Sequence, residues 1–291
     1  MKKEYTQRHP IVNGLFYPDS KEELENTIQG YIERVDKDKV LKDVNEQTGL
    51  TGTGKRTPLV LIAPHAGYIF SGRVQAYSYC LIKDLDIQTA VIIGPAHQKN
   101  FKGISVNLDN AYKTPVGLIE VDLELSEQLV SQSSKMLLNE EAHLSEHSIE
   151  VQLPFLQIIH PDIQIVPVLI GEQSWETSEI LKNAFISVIK KTGKKFIVIA
   201  STDLSHYHSH VEAQTLDRVL INDIKKMDPR AFYKNIQEDN SEACGFGGIL
   251  TGMMLANELG EGKSAELLYM DSGEVSGDRN KVVGYLSAAM Y

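Results

Sequence analysis

Residues 58–68 read PLVLIAPHAGY, and the fold turns on how this stretch is parsed. Positions 58–63 are strand-length and rich in branched apolar side chains. A Pro-His-Ala-Gly-Tyr turn follows at once. The same pattern recurs twice. TAVIIG (89–94) runs into Pro95-Ala96-His97-Gln98, and FIVIA (196–200) runs into Ser201-Thr202-Asp203-Leu204-Ser205-His206. IQIVPVLIG (163–171) is a fourth such run. Near-continuous apolar runs suit strands covered on both faces, as in a parallel sheet packed between helices. Segments 20–34, 122–131, 148–159, 176–190 and 210–226 carry apolar residues at helical spacing, the first opened by Pro-Asp-Ser with Glu22 and Glu23 in its first turn. Segments 265–270 and 282–289 read as further strands. This order predicts an α/β fold: one domain over 1–291, with a central, mostly parallel sheet flanked by helices. No internal repeat or Pro/Ser-rich linker divides the chain.

Composition agrees and excludes several functions. The chain has 291 residues, with 29 Lys+Arg against 39 Asp+Glu and a net charge of −10. With 42% hydrophobic and 23% charged residues it can bury a core and is not disordered. An acidic chain without a basic tract is a poor nucleic-acid binder. No run approaches the roughly 20 apolar residues of a membrane span. The start, MKKEYTQRHPIVNG, lacks the apolar core of a signal peptide. Two cysteines, Cys80 and Cys244, make no disulfide framework, so the expected location is the cytoplasm.

Two glycine-rich stretches mimic nucleotide motifs. Positions 45–57 (NEQTGLTGTGKRT) read as a loop with phosphate-loop spacing from Gly49 to Lys55. Arg56 stands where Ser or Thr should hold magnesium, and the loop precedes a strand instead of following one. The stretch from Gly245 resembles a dinucleotide fingerprint, but Leu250 takes its third glycine position.

The chemistry-bearing residues fall just past strand ends. In open α/β sheets, ligands bind outside the carboxyl ends of the strands. Three parallel strands would bring His65, His97 and the Asp203/His206 pair to one edge. His65 and His97, two and three residues past a strand, are the better metal-ligand candidates. Asp203, three residues before His206, could hold that imidazole in one tautomer or cap a helix. His208 and His210 are expected on the exposed start of the following helix. Cys244 precedes a helix-like run, where a lowered pKa would favour its thiolate. Cys80 lies mid-helix and reads as core. Cys244 should therefore alkylate faster than Cys80. His143-Leu-Ser-Glu146-His147 matches the H-x-x-E-H pattern of inverted zinc proteases, but in the wrong fold context.

Together, APHAGYIFSG (63–72), IGPAHQ (93–98), EHSIEVQLPFLQ (146–157), STDLSHY (201–207), EACGFG (242–247) and VVGYLS (282–287) resemble the Memo family, called AmmeMemoRadiSam system protein B in prokaryotes. The resemblance runs from about residue 8 to the end of the chain. It implies a single α/β domain similar to class III extradiol dioxygenases, which hold non-haem Fe(II) with two histidines and a glutamate. Here it implies a pocket of His65, His97 and Cys244 as metal ligands, Asp203 and His206 as an acid–base pair, and His147 lining the pocket. Replacing glutamate by a thiol softens the donor set, so Fe(II) is the first expectation and copper or zinc the alternatives, with an empty pocket also open. Glu242 is a substitute third ligand if the backbone there is extended.

The leading expectation is thus a dioxygenase-like, metal-dependent oxidoreductase acting on an unidentified small molecule. One rival is a non-catalytic module that binds a phosphopeptide or another anionic ligand in the same pocket; it would be indifferent to chelation. The other is a metallohydrolase, indifferent to oxygen. The prokaryotic family name implies partnership with a radical-SAM protein.

Overall fold

The computed structural model describes residues 5–50 and 57–291. The Lys55 and Arg56 part of the phosphate-loop mimic lies outside the described residues. Among them the main sheet has nine strands. Its order is His206–His208, Val282–Met290, Val60–Ala63, Phe196–Ser201, Thr89–Pro95, Gln164–Ile170, Ile104–Val106, Met136–Leu138, with Ser264–Asp271 pairing the other side of Val282–Met290. The four strands read from the apolar runs are mutually parallel and adjacent. Antiparallel pairings flank them: Val282–Met290 against Val60–Ala63, and Ile104–Val106 against Gln164–Ile170. The sheet is therefore mixed, with a parallel centre flanked by antiparallel pairings and a parallel pair, Ile104–Val106 with Met136–Leu138, at one margin. Gln7–Arg8, Ala111–Lys113 and Leu118–Glu120 form a small separate sheet.

The continuous apolar runs arise because each central strand feeds two cores. Leu61, Ala63, Ala90, Ile92, Ile165, Leu169, Ile197 and Ile199 join one core; Val60, Ile62, Val91, Ile93, Val166, Val168, Val198 and Ala200 join the other. The first is closed by helices Lys21–Glu33, Lys37–Thr48, Tyr68–Ile82 and Leu153–Ile159. The second is closed by Leu123–Val130, Trp175–Thr192, His210–Lys226 and Phe246–Leu259. Cys80 belongs to the first core, as read from its helical setting.

Local signals explain the helix bounds. Ser20 accepts the Glu23 N–H, and Ser209 forms a capping box with Glu212, so His210–Lys226 has the bounds expected for it. His208 lies in the short strand His206–His208, not on that helix. Positions 45–48 are helical, because Asp36 caps Lys37–Thr48 and Gly49 ends it in the left-handed conformation. The expected helix over 148–159 is a 3₁₀ turn, Glu150–Gln152, followed by Leu153–Ile159. No helix among the described residues is long and apolar enough to cross a membrane.

Candidate metal centre

Val60–Ala63, Thr89–Pro95 and Phe196–Ser201 deliver His65, His97 and the 202–206 segment to one edge of the sheet, as the sequence predicts. Cys244 joins them from the turn before helix Phe246–Leu259. That turn closes tightly on the end of the Phe196–Ser201 strand: a Cβ on Gly245 would lie 2.5 Å from the Ser201 carbonyl oxygen and 2.8 Å from Thr202 Cβ.

One ligand atom each from His65, His97 and Cys244 falls within 4.8 Å of the others. His65 Nε2 is 3.2 Å from Cys244 Sγ. His147 completes a histidine cluster. Its ring stacks on His97 at 4.9 Å and meets His65 edge-on at 5.4 Å, while Phe16 packs against its other side at 5.1 Å. His206 lies close enough that its charge would oppose those of His65 and His97. Burial lowers the pKa of His65, His147 and His206, and the neighbouring imidazoles push the same way. These rings are neutral at neutral pH, the state in which imidazole offers a lone pair.

His65 is held by a closed set of hydrogen bonds. The Ser201 hydroxyl donates to the Ser148 carbonyl at 2.6 Å and accepts from Gln152 Nε2 at 2.9 Å. Its single proton is spent, so at 3.0 Å it accepts from His65 Nδ1. The His65 Nε2 lone pair therefore faces Cys244. Gln152 is fixed in turn, donating to the Pro64 carbonyl and accepting from Tyr79. A metal fits this donor set. Imidazole nitrogen and sulfur are typical ligands of iron, copper and zinc, and the lone pair is aimed before any ion arrives.

Three expectations need correction. Asp203 does not orient the His206 ring among the hydrogen bonds of the described residues. Its carboxylate accepts the main-chain N–H of His65 at 2.8 Å and that of Ala66. Burial nonetheless raises its pKa to about 7. Cys244 is not a low-pKa thiol: burial and the adjacent Asp203 carboxylate push it up. It precedes the helix N-cap Gly245, and enclosure outweighs the one N–H that Asp203 gives its sulfur at 3.2 Å. Glu242 is committed elsewhere, accepting from the His206 main chain at 3.3 Å and from His208 Nε2 at 2.8 Å. The H-x-x-E-H match fails as its fold context implied: His143 and His147 do not share a helix face. Helix Glu140–Leu144 ends before His147, and the buried His143 binds the Ser105 and Tyr112 hydroxyls.

The residue that sequence reasoning undervalued is Glu146. It accepts His97 Nδ1 at 2.9 Å, the His97 main-chain N–H at 2.6 Å and the Ser148 N–H at 2.9 Å. Burial alone would raise its pKa, but these donors overcome that and hold it down at about 2. Glu146 also forms a second donor cluster with His97 and His147. Three N–H groups already engage its two oxygens, so it serves His97 as a hydrogen-bond partner and is poorly free to ligate. Its one signal in the sequence was a carboxylate directly before a histidine in EHSIE.

The chain matches the family model described as Memo-like protein over residues 8–289. It is 38% identical over 281 residues to a MEMO1 family protein of Methanobrevibacter smithii, covering 96% of this chain and 98% of that one. It is also 38% identical over 279 residues to a MEMO1 family protein of Methanothermobacter thermautotrophicus, with 96% and 98% covered. Among solved structures, an uncharacterized protein from Escherichia coli K12 superposes with a TM-score of 0.57 at 13% identity, over 81% of this chain and all of the other. That likeness concerns the fold.

Proposed function

The chain belongs to the Memo-like protein family, and from the pocket just described we propose that it is a metal-dependent oxidoreductase with His65, His97 and Cys244 as ligands. One observation carries this reading: two imidazoles and a thiol converge, with the His65 lone pair already turned inward by a saturated hydrogen-bond set. Fe(II) is the favoured ion and copper the alternative. When bound, it would supply the electron transfer between a substrate and an oxidant. The protein's own groups do the rest. His206 and His147 are neutral imidazoles beside the ligands, placed to accept or return a substrate proton. Asp203 holds the His65 turn through two main-chain N–H groups. The buried His65 and Ser201 exclude water from the inner side of the pocket.

The test is elemental analysis of anaerobically purified protein beside His65→Ala and His97→Ala variants. Near-stoichiometric metal in the parent, lost in both variants, is expected. A metal-free parent, or variants that retain metal, would overturn the reading. Oxygen consumption by the loaded protein separates it from hydrolysis.

A further inference from the structure

The two histidine ligands are not held independently. Glu146 carries a carboxylate, an acceptor only, so the proton between it and His97 belongs to His97 Nδ1. Two residues on, the Ser148 carbonyl takes the Ser201 proton and thereby obliges His65 to keep its own on Nδ1. Ser148 is locked as well: its N–H returns to Glu146 at 2.9 Å and its hydroxyl donates to the Pro95 carbonyl at 3.0 Å. The geometry points to residues 146–148 as a single positioning unit that sets the tautomer of both His65 and His97, leaving each with Nε2 free for the pocket.

The unit is anchored from outside the sheet. Arg8 donates to the Glu146 carbonyl at 2.6 Å and to the His143 carbonyl at 3.1 Å, so the N-terminal arm fixes the main chain from which the clamp projects. The strand beneath leaves room for it. A Cβ on Gly94 would lie 2.3 Å from Ser148 Oγ, so only glycine admits Ser148 at that depth. The two ligands also differ in kind. His97 is backed by a charge and His65 by a neutral hydroxyl.

What the free nitrogens bind rests on the metal reading above; the tautomers do not. Long-range ¹H–¹⁵N spectra of the metal-free, full-length protein with ¹⁵N-labelled histidine report which ring nitrogen carries each proton. Both His65 and His97 are expected as Nδ1–H. In Glu146→Gln an amide NH₂ must face one of the three N–H groups, and in Glu146→Ala the acceptor is gone. In Glu146→Ala His97 should lose its single Nδ1–H form while His65 keeps it; in Glu146→Gln the amide oxygen can stand in for Oε1, which takes both His97 Nδ1 and the Ser148 N–H, so that conservative variant should keep it. Ser201→Ala should do the reverse of Glu146→Ala. Finding His97 on Nε2–H in the parent, or unchanged in Glu146→Ala, would overturn the inference.

Co(II) titration, followed by its thiolate charge-transfer absorption, supplies the second readout. Affinity should fall roughly 10- to 100-fold in Glu146→Ala, the usual cost of losing an outer-sphere partner, and stay nearer the parent's in Glu146→Gln. A shifted tautomer with unchanged Co(II) affinity would show that the unit does not prepare the ligands, and would also overturn the inference. A parent that binds no Co(II) defeats the metal reading alone, since the spectra still decide the tautomers.

Discussion

Arg8 and Glu150 stand 142 positions apart in the chain and form an ion pair in which neither side chain is open to solvent. Glu150 also accepts the Ile11 and Val12 N–H groups at 3.0–3.1 Å and the Tyr17 hydroxyl at 2.5 Å. The arm that begins at Arg8 is thus stitched to the EHSIE segment by both members of the pair. Removing one member of a buried pair leaves an uncompensated charge, worth about 3–5 kcal/mol. Arg8→Met should lose that much in urea unfolding. Adding Glu150→Gln should restore part of it, because glutamine removes the stranded charge and still offers one acceptor. Strictly additive losses in the double variant would show that the charges are not coupled.

Gly94→Ala should disturb the site more than its single methyl suggests. The new Cβ would strike Ser148 Oγ, and overpacking of this kind typically costs about 1–3 kcal/mol. Because Ser148 also receives the Ser201 proton, the expected result is a lowered urea midpoint together with weaker metal uptake. Removing the obstructing hydroxyl in Gly94→Ala/Ser148→Ala should recover much of the stability. A Gly94→Ala protein as stable as the parent would mean that the strand yields without strain.

Asp217 supplies a pH dependence away from the pocket. It is buried, and burial raises its pKa from 3.8 to about 6 despite hydrogen bonds from Tyr269 and the Ser205 N–H. A raised acid binds its proton more tightly when folded. Its contribution is therefore nil below about 4, turns unfavourable as pH rises towards 6, and stays so above. Between 3.8 and about 6 this amounts to up to roughly 3 kcal/mol. Asp217→Asn keeps the shape and can accept from Ser205 while donating to the Tyr269 oxygen. It should match the parent at pH 4 and exceed it at pH 8. Parallel stability curves across that range would refute the assignment.

His143→Ala separates the two readings of HLSEH. The buried Tyr112 hydroxyl would be left unpaired, at about 1–3 kcal/mol, while Ser105 keeps the Asn139 carbonyl as a partner. Metal content should survive the change, since His143 lies outside both donor clusters. Loss of metal from a still-folded variant would return His143 to the ligand set.

The central fold was legible because two-sided burial writes itself as unbroken apolar runs. Segment 210–226 was legible in its bounds because Ser209 and Glu212 mark the cap. The short strands Ile104–Val106 and Met136–Leu138 carried too few residues for any period to emerge. Helix Lys37–Thr48 shows only Val40, Val44 and Thr48 on its buried face, within an otherwise charged segment, and its end was read as loop. At the site, His65, His97 and Cys244 announced themselves by their place after strands or before a helix. The partners of the histidines did not. Glu146 and Ser201 act across 49 and 136 positions of chain, and nothing local marks a carboxylate or a hydroxyl as belonging to a distant ring. The expectation of a lowered Cys244 pKa failed for a related reason: the helix start was visible in sequence, but the adjacent Asp203 carboxylate was not.

The two cores divide the central strands by parity, odd numbers against even in Val60–Ala63. Deleting one residue inside such a strand would not merely shorten it. Every side chain beyond the deletion would change sides, so each core would receive the volumes cut for the other. The strands are thus intolerant of length change, while residues 64–67 and 96–98, in the turns just past two of them, join neither of these cores and answer to no such frame. His65 and His97 stand in those turns, where residues can be exchanged for chemistry without re-sorting the interior.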